Sequence, residues 1–390
     1  MIGRWRRRFR LGAAALLFLA LSPACAGGSR PFYDVGEPPF VSPKGYSLLR
    51  RAAALGGRTP AHRLILVGDA GATAPGDATL AELARWGADL PDRTTVAFLG
   101  DNLYPRGLGD GDERGEAVLL QQLRATAARK VFVPGNHDWG DWPLDADTLA
   151  REERFIDGFT ESPAALLPKG CCPGPALATL AAAGDGLARG VQLLAIDLDW
   201  WLLDADERPA CDGLASETDF VDALEGALRA HAEDHVVVVA HHPLRSGGPH
   251  GGWGRGFFER QLIRLANGLG IAVHDLDGSA YRAMVGRLHP ALAAEPPLVY
   301  ASGHDHGLQV IEGRDMAGTL VVSGAGSAKN VTTVTAIAGT LFAHAHPGFV
   351  VLDFYGDADF GDALEGDRVM LRVIETGRRR PVYEMELPLR

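Results

Sequence analysis

Five stretches of this sequence share one form: a short apolar run ends in a small residue or proline, and a potential metal ligand follows closely. Each apolar run has the length and composition of a buried β-strand. In chain order the junctions are LILVGDAG (64–71), VAFLGDNLYP (96–105), KVFVPGNHD (130–138), VVVVAHHP (236–243) and LVYASGHDH (298–306). Sheets of α/β proteins place their ligands at the carboxyl ends of strands. A single Gly-Asp would indicate only a turn, but the repetition predicts one site assembled from five turns.

Seven side chains in these turns carry oxygen or nitrogen donors suited to metal ions. They are Asp69, Asp101, Tyr104, Asn136, His241, His304 and His306. Seven side chains are enough to bind two ions if one carboxylate binds both of them. Asp101 is the expected bridge, because its strand lies between the Asp69 turn and the Asn136 turn. Two ions about 3.5–4 Å apart can clamp a phosphoryl group and activate water near neutral pH.

Strands and helices alternate through the first part of the chain, and short strands dominate the tail, which predicts a mixed α/β fold. Strands are predicted over 63–68, 94–100, 130–134, 191–197, 235–240, 298–302, 308–312, 319–323, 349–355, 369–375 and 381–387. Helices are predicted over 77–88, 113–128, 217–231, 256–268 and 278–294. We expect a looser region over 139–190. Residues 26–60 are expected to be an irregular linker before a single catalytic domain over 61–390.

Residues 1–25 have the pattern of an export signal. Five arginines precede an apolar run over 11–21 that is too short to span a bilayer comfortably. Ala24-Cys25-Ala26 fits a small-residue cleavage site, and it also resembles a bacterial lipoprotein box, although Ser22 stands where that box usually has Leu. Soluble export and membrane anchoring through a lipidated Cys25 both stay open. Either way, the mature chain is expected to be periplasmic, secreted or anchored at the bacterial cell envelope.

Charge and cysteine content add two expectations. Removing five arginines from the 38 basic residues leaves 33 against 49 acidic residues, a net charge of −16. Such a surface argues against nucleic acid as a partner. It also repels phosphorylated substrates at long range, so local cations must supply the attraction. Export permits a disulfide, most simply between Cys211 and one of the adjacent pair Cys171 and Cys172.

The series GDAG, GDNLY, GNHD, VVAHHP and GHDH resembles the calcineurin-like metallophosphoesterase superfamily, and more narrowly its purple acid phosphatase branch of the small, tartrate-resistant type. The likeness covers residues 61–355 and extends to GHDHGLQ (303–309) and SGAG (323–326). Most metallophosphoesterases have a His two residues after the first Asp. Here Gly71 occupies that position and Tyr104 is present instead, as in the purple branch. The resemblance implies a four-layer αββα sandwich of two mixed β-sheets flanked by helices.

The resemblance also implies how the ligands divide between the two ions. The first ion would take Asp69, Asp101, Tyr104 and His306, and the second would take Asp101, Asn136, His241 and His304. Phenolate and carboxylates are hard anionic donors that suit Fe(III), whereas the neutral donors of the second set suit Zn(II), Fe(II) or Mn(II).

In the family, the His after the Asn ligand faces the substrate phosphate, so the resemblance makes His137 a catalytic residue. His250 is the candidate for a second substrate-facing His, on a looser alignment. Asp138 is expected to orient His137, and His242 is expected to be structural. His344 and His346 are expected in a surface loop, with a position lining the pocket as the alternative.

The resulting expectation is a binuclear hydrolase of small phosphate monoesters, in which a metal-bound hydroxide attacks phosphorus in line. Two alternatives stay open. One is a phosphodiesterase or nucleotidase on the same scaffold, and the other is a non-catalytic exported protein that binds metal.

Overall fold

Alternating side chains along the central strands divide the protein into layers. In the computed structural model, the described residues are 32–52, 58–140, 144–203, 206–251, 276, 278–356 and 366–389. Leu64 and Leu66 point into a core between two sheets, whereas Ile65 and Val67 of the same strand pack against helices outside. Because strand side chains alternate between faces, both faces of this strand are apolar and both are covered.

Seventeen strands are present among the described residues. They are β1 (Phe32–Tyr33), β2 (Phe40–Val41), β3 (His62–Val67), β4 (Thr94–Leu99), β5 (Arg129–Val133), β6 (Ala164–Leu166), β7 (Ala176–Ala181), β8 (Val191–Ala195), β9 (His235–Val239), β10 (Val299–Ser302), β11 (Leu308–Glu312), β12 (Thr319–Ser323), β13 (Val334–Thr335), β14 (Thr340–His344), β15 (Gly348–Tyr355), β16 (Arg368–Glu375) and β17 (Tyr383–Glu386).

These strands form two large sheets and one two-stranded pair, β1 with β13. The first sheet has the order β17-β16-β15-β3-β4-β5-β6, in which β3 to β6 run parallel and β15 to β17 antiparallel. The second has the order β2-β14-β11-β12-β10-β9-β8-β7, with β8, β9, β10 and β12 parallel. Both sheets are mixed, as predicted.

Helices cover the outer faces of the two sheets. The α-helices of the described residues are α1 (Pro43–Ala52), α2 (Ala78–Ala88), α3 (Glu113–Leu123), α4 (Ala146–Asp157), α5 (Asp199–Leu202), α6 (Glu217–Ala230) and α7 (Ser279–Ala294). Residues of α2, α3 and α4 pack on the seven-stranded sheet, and residues of α6 and α7 pack on the eight-stranded sheet. This is the predicted αββα arrangement. No helix of the described ranges is both long and apolar enough to cross a membrane.

The structure differs from the predicted elements at several places. Helix α3 ends at Leu123, and five residues that were predicted helical follow it; there the Thr126 hydroxyl accepts a hydrogen bond from Ala128 N and favours a turn. The region 139–190 contains α4, β6 and β7, and the segment 26–60 contains α1. The predicted helix 256–268 lies outside the described residues.

Cysteine pairing follows the expectation. Cys172 and Cys211 form a disulfide, and Cys171 is a buried free thiol. Disulfides persist in oxidising compartments; export stays a prediction.

His62, the first residue of β3, is a buried titratable group that links folding to pH. Its side chain is buried, and this burial, with the nearby charges of Arg129 and Arg93, lowers the pKa of His62 from 6.5 to about 4. The unfolded chain therefore binds more protons than the folded chain between these two values. The stabilising contribution of neutral His62 is complete above pH 6.5 and is lost as the pH falls toward 4.

We predict that His62→Gln loses less stability on acidification than the wild type does. The difference between the free energies of unfolding at pH 7 and pH 4 should shrink by about 3 kcal/mol, because glutamine does not titrate. Urea unfolding at the two pH values measures it. His289→Gln, which removes an exposed imidazole, serves as the control. Equal acid losses in His62→Gln and the wild type would contradict this account.

Candidate metal centre

The five predicted turns meet at one edge of the molecule. Strands β3, β4 and β5 are parallel neighbours in one sheet, and β9 and β10 are parallel neighbours in the other. Direct hydrogen bonds join the two sheets at this edge. Gly68 N donates to Ser323 O at 2.7 Å, and His304 N donates to Asp69 Oδ2 at 2.9 Å. The structure therefore brings together all seven side chains that the sequence singled out.

One half of the cluster is anionic. Tyr104 Oη donates to Asp69 Oδ1 at 3.0 Å and lies 3.2 Å from His306 Nε2. The same nitrogen is 3.2 Å from Asp69 Oδ1. Ligand atoms of Asp69, Asp101 and His306 all lie within 4.8 Å of one another. Two carboxylates, a phenol and an imidazole thus converge on one volume.

The other half is built mainly from neutral donors. His241 Nε2 lies 3.2 Å from Asn136 Oδ1, 3.2 Å from His304 Nδ1 and 3.3 Å from Asp101 Oδ1. His241 Nδ1 is 2.8 Å from Leu99 O, and a carbonyl only accepts, so Nδ1 carries the proton. In the neutral imidazole Nε2 is then left with a lone pair. Asp101 contacts both halves and occupies the position of the predicted bridge.

Local backbone geometry turns these side chains toward one another. Asp69, Asp101 and His304 have φ values of 60°, 52° and 68°, a left-handed conformation that costs free energy for residues with a Cβ. A glycine precedes each of these three strained residues, and two of these glycines illustrate how closely the chains approach. A Cβ on Gly303 would lie 2.6 Å from Asp69 Oδ2, and one on Gly100 would lie 2.6 Å from His241 Nδ1. The Gly-Asp and Gly-His pairs are therefore part of how the turns fit together.

Burial and charge shift the titration of the anionic half. Burial would raise the pKa of Asp101, but the charges of His241 and His137 hold it below its usual range. The pKa of Tyr104 is raised well above 10 by burial and by the nearby Asp101 and Asp69 carboxylates. Burial would lower the pKa of His306, yet its hydrogen bond to Asp69 and the surrounding carboxylates raise it to about 9. The cluster is a buried concentration of negative charge that attracts cations.

The donor set fits two metal ions. Asn136 Oδ1 and His241 Nε2 face each other at 3.2 Å, and the other ring nitrogen of His241 is held by Leu99 O, so both atoms are oriented to bind one cation. The separations of 3.0–3.3 Å within each half match the roughly 3 Å between ligands that share one ion at bond lengths of about 2.0–2.2 Å. The hard anionic donors and the neutral donors are segregated as expected for two different ions.

His137 and His250 lie beside this cluster. His137 Nδ1 contacts Pro105 O at 2.6 Å, which leaves Nε2 facing Asp101 Oδ2 at 3.9 Å. The side chain of His137 is 24 % exposed, so solvent and a ligand can reach it. The His250 ring lies 4.2 Å from the His304 ring, and His250 N donates to Asp305 Oδ1 at 2.9 Å. Each candidate substrate residue therefore lies next to a residue of the cluster, His137 beside Asp101 and His250 beside His304.

Asp138 does not orient the His137 ring, contrary to the expectation. Its carboxylate instead accepts hydrogen bonds from Gly135 N, Leu103 N and Asn102 Nδ2 and so ties the Asp101 turn to the Asn136 turn. Pro105 O holds the ring instead. Sequence reasoning missed this partner and Leu99 O because a backbone carbonyl has no signal of its own in the sequence.

A buried acid behind these turns was also missed. Glu152 of α4 is fully buried, and burial raises its pKa to about 8. Gln122 of α3 donates to Asn102 O at 2.6 Å in the same region. The signal available in the sequence was Glu152 itself, an acid at a position with the helical spacing of the buried Leu149 and Ile156.

Comparison with known proteins agrees with the fold and identifies the family. The family model for calcineurin-like phosphoesterases matches residues 62–308, and the chain belongs to that family. Members of this family bind two metal ions. No curated protein sequence matches this chain.

Two solved structures have similar folds. GAP50, described as the anchor in the inner membrane complex of Plasmodium, is 18 % identical, with a TM-score of 0.55 over 84 % of this chain and 89 % of that chain. The purple acid phosphatase PPD1 from seeds of yellow lupin (Lupinus luteus) is 14 % identical, with a TM-score of 0.51 over 83 % of this chain and 53 % of that chain. At these identities the likeness concerns the fold.

We predict that Asp101→Asn lowers the metal content of the protein. The substitution removes one negative charge from both halves of the cluster, and metal affinity depends on deprotonated ligands. Metal analysis of the purified variant measures the loss. Asp110→Asn, an exposed acid in the same connection, is the control and should keep the wild-type content. If Asp101→Asn keeps it as well, Asp101 is not the bridge.

Proposed function

We propose that this protein is a binuclear phosphomonoesterase of the acid phosphatase type. The observation that carries the proposal is the convergence of seven metal donors from five strand ends beside a solvent-accessible imidazole, His137. Family membership supports hydrolysis of a phosphate ester. The proposed substrate is a small phosphorylated molecule that binds at the opening beside His137.

The resident ions would be held by the two sets of donors, and when bound they supply positive charge for the phosphoryl oxygens and a lowered pKa for water. The protein's own hydrogen bonds hold these donors in position. Leu99 O fixes the His241 ring, and Asp69 Oδ2 accepts from His304 N. Each contact joins one sheet to the other, so the donors are held before substrate arrives. Preorganised charge of this kind lowers the barrier because little reorganisation is needed during the reaction.

His137 is assigned to the leaving group. Because its Nδ1 is held by Pro105 O, only Nε2 is free to approach a substrate oxygen. A proton on Nε2 passes to the leaving oxygen as the phosphorus–oxygen bond breaks, which neutralises charge in the transition state. His250, whose ring packs against that of His304, is assigned to contact the phosphoryl group.

The proposed reaction is a single displacement. Water forms the new phosphorus–oxygen bond while the ester bond breaks, giving inorganic phosphate and an alcohol. Within the five described turns, no serine, cysteine or free aspartate is placed as a nucleophile in its place. Asp69 and Asp101 are engaged within the cluster, and the Ser302 hydroxyl donates to Val321 O. One displacement inverts the configuration at phosphorus.

We predict that the metal-loaded protein hydrolyses p-nitrophenyl phosphate faster than bis(p-nitrophenyl) phosphate.

We also predict that His137→Ala keeps its metal but loses roughly 10²–10⁴-fold in kcat, the range for one acid–base or electrostatic group. His289→Ala is the control.

Three results would count against the proposal. Faster cleavage of the diester favours a phosphodiesterase on the same scaffold. No turnover by fully loaded protein favours a non-catalytic metal-binding protein. Retention of configuration with a chiral phosphate ester excludes a single displacement.

We also propose Fe(III) for the anionic half and Zn(II), Fe(II) or Mn(II) for the other. Tyr104 supports this assignment, because a buried phenol between two carboxylates resists ionisation. A trivalent cation stabilises a phenolate more strongly than a divalent one does, since Coulomb energy rises with charge.

The assignment predicts a visible phenolate-to-iron absorption band in protein from the native host. Tyr104→Phe should abolish the band while the fold is retained, as the side-chain volume is nearly unchanged. Visible spectroscopy combined with iron analysis tests this. A colourless wild-type protein with full activity would mean that both ions are divalent.

A further inference from the structure

A second cluster of metal-ligating side chains lies at the same edge of the sheets. His344 is the last residue of β14, His346 follows two residues later, and Glu375 is the last residue of β16. His344 Nε2 is 3.1 Å from Glu375 Oε2, and His346 Nε2 is 3.6 Å from Glu375 Oε1. One ligand atom from each residue lies within 4.8 Å of the others. These three residues are called the β14–β16 cluster below.

The expected surface position of His344 is wrong. Its side chain is only 2 % exposed, whereas that of His346 is 29 % exposed. The two residues are two positions apart, and residues at this spacing share one face of an extended chain. Their rings are parallel within 11°, with centroids 5.3 Å apart. Both imidazoles therefore approach the same carboxylate, one from the interior and one from solvent.

Arg378 is the remaining charged neighbour of the carboxylate. Its Nε donates to Glu375 Oε1 at 2.8 Å, and its side chain is 62 % exposed. Because the guanidinium reaches the carboxylate from solvent, it can move outward when a cation takes its place. An exposed ion pair of this kind contributes little to stability, so losing it opposes metal binding only weakly.

We propose that the β14–β16 cluster is a zinc site. It is separate from the site formed by the five turns, which is called the principal centre. Two imidazole nitrogens and one carboxylate oxygen are a recognised zinc donor set, with the fourth position left to water or another ligand. The spacings of 3.1 and 3.6 Å bracket the roughly 3.3 Å that a tetrahedral ion requires between ligands at about 2.0–2.1 Å. Soft thiolate ligands are absent from the cluster, which disfavours copper(I).

The ion would join the two sheets. β14 belongs to the eight-stranded sheet and β16 to the seven-stranded sheet. A metal that binds only the folded arrangement stabilises it in proportion to its affinity and concentration. The site therefore has a readout that does not depend on enzyme activity, namely the unfolding temperature in the presence of zinc.

The test uses the full chain, stripped with a chelator and then dialysed against Zn²⁺. His346→Ala should bind one zinc ion per chain fewer than the wild type, and Glu375→Gln, which keeps the shape of the side chain, should show the same loss. His289→Ala removes an exposed imidazole 2.8 Å from the Asp315 carboxylate and should bind as much as the wild type. Equal zinc content in the wild type, His346→Ala and Glu375→Gln would overturn the proposal.

Asp101→Asn separates this site from the principal centre. Zinc should still raise the unfolding temperature of Asp101→Asn, and it should not raise that of the double variant Asp101→Asn with His346→Ala. If both variants respond equally to zinc, the stabilising ion is not bound by the β14–β16 cluster, and the proposal fails. The function proposed for the principal centre is unaffected by that outcome.

Discussion

Two buried carboxylates, Asp69 and Asp101, are the constraint around which the rest of the structure is arranged. Both are almost fully inaccessible to solvent, and isolated charges at such positions are strongly unfavourable. Each is surrounded by donors: Tyr104 Oη and His304 N contact Asp69, and the His137 backbone contacts Asp101. The hydrogen bonds reduce the cost but leave negative charge in excess. That excess would attract cations to the site.

The sequence predicts the central part of this arrangement well because the signals there are local and strong. A strand buried on both faces is apolar throughout, and the turn that follows needs glycine where chains approach closely. Gly303 and Gly100 are such positions. Strands β11 and β12 were predicted at their observed bounds. The seven donors were identified because each follows such a strand.

The parts that sequence reasoning missed depend on tertiary contacts. Strand β14 was not predicted, and its last residue His344 was expected at the surface, since a His-x-His pair in a short segment gives no sign of burial. It is buried because Glu375, distant in the sequence, lies opposite. The partner predicted for the His137 ring was wrong for a related reason. Asp138 is the nearest acid along the chain, but the ring contacts the backbone carbonyl oxygen of Pro105 instead.

The hydrogen bond from His241 to Leu99 O crosses from one sheet to the other, and this has a consequence for how the protein matures. The donors are divided between the sheets, so neither sheet alone presents a complete coordination sphere. Ions can be captured firmly only after the two sheets have docked in register. If these donors hold the proposed ions, incorporation of metal would follow docking of the two sheets, and the metal content would report how many molecules have assembled the inter-sheet core.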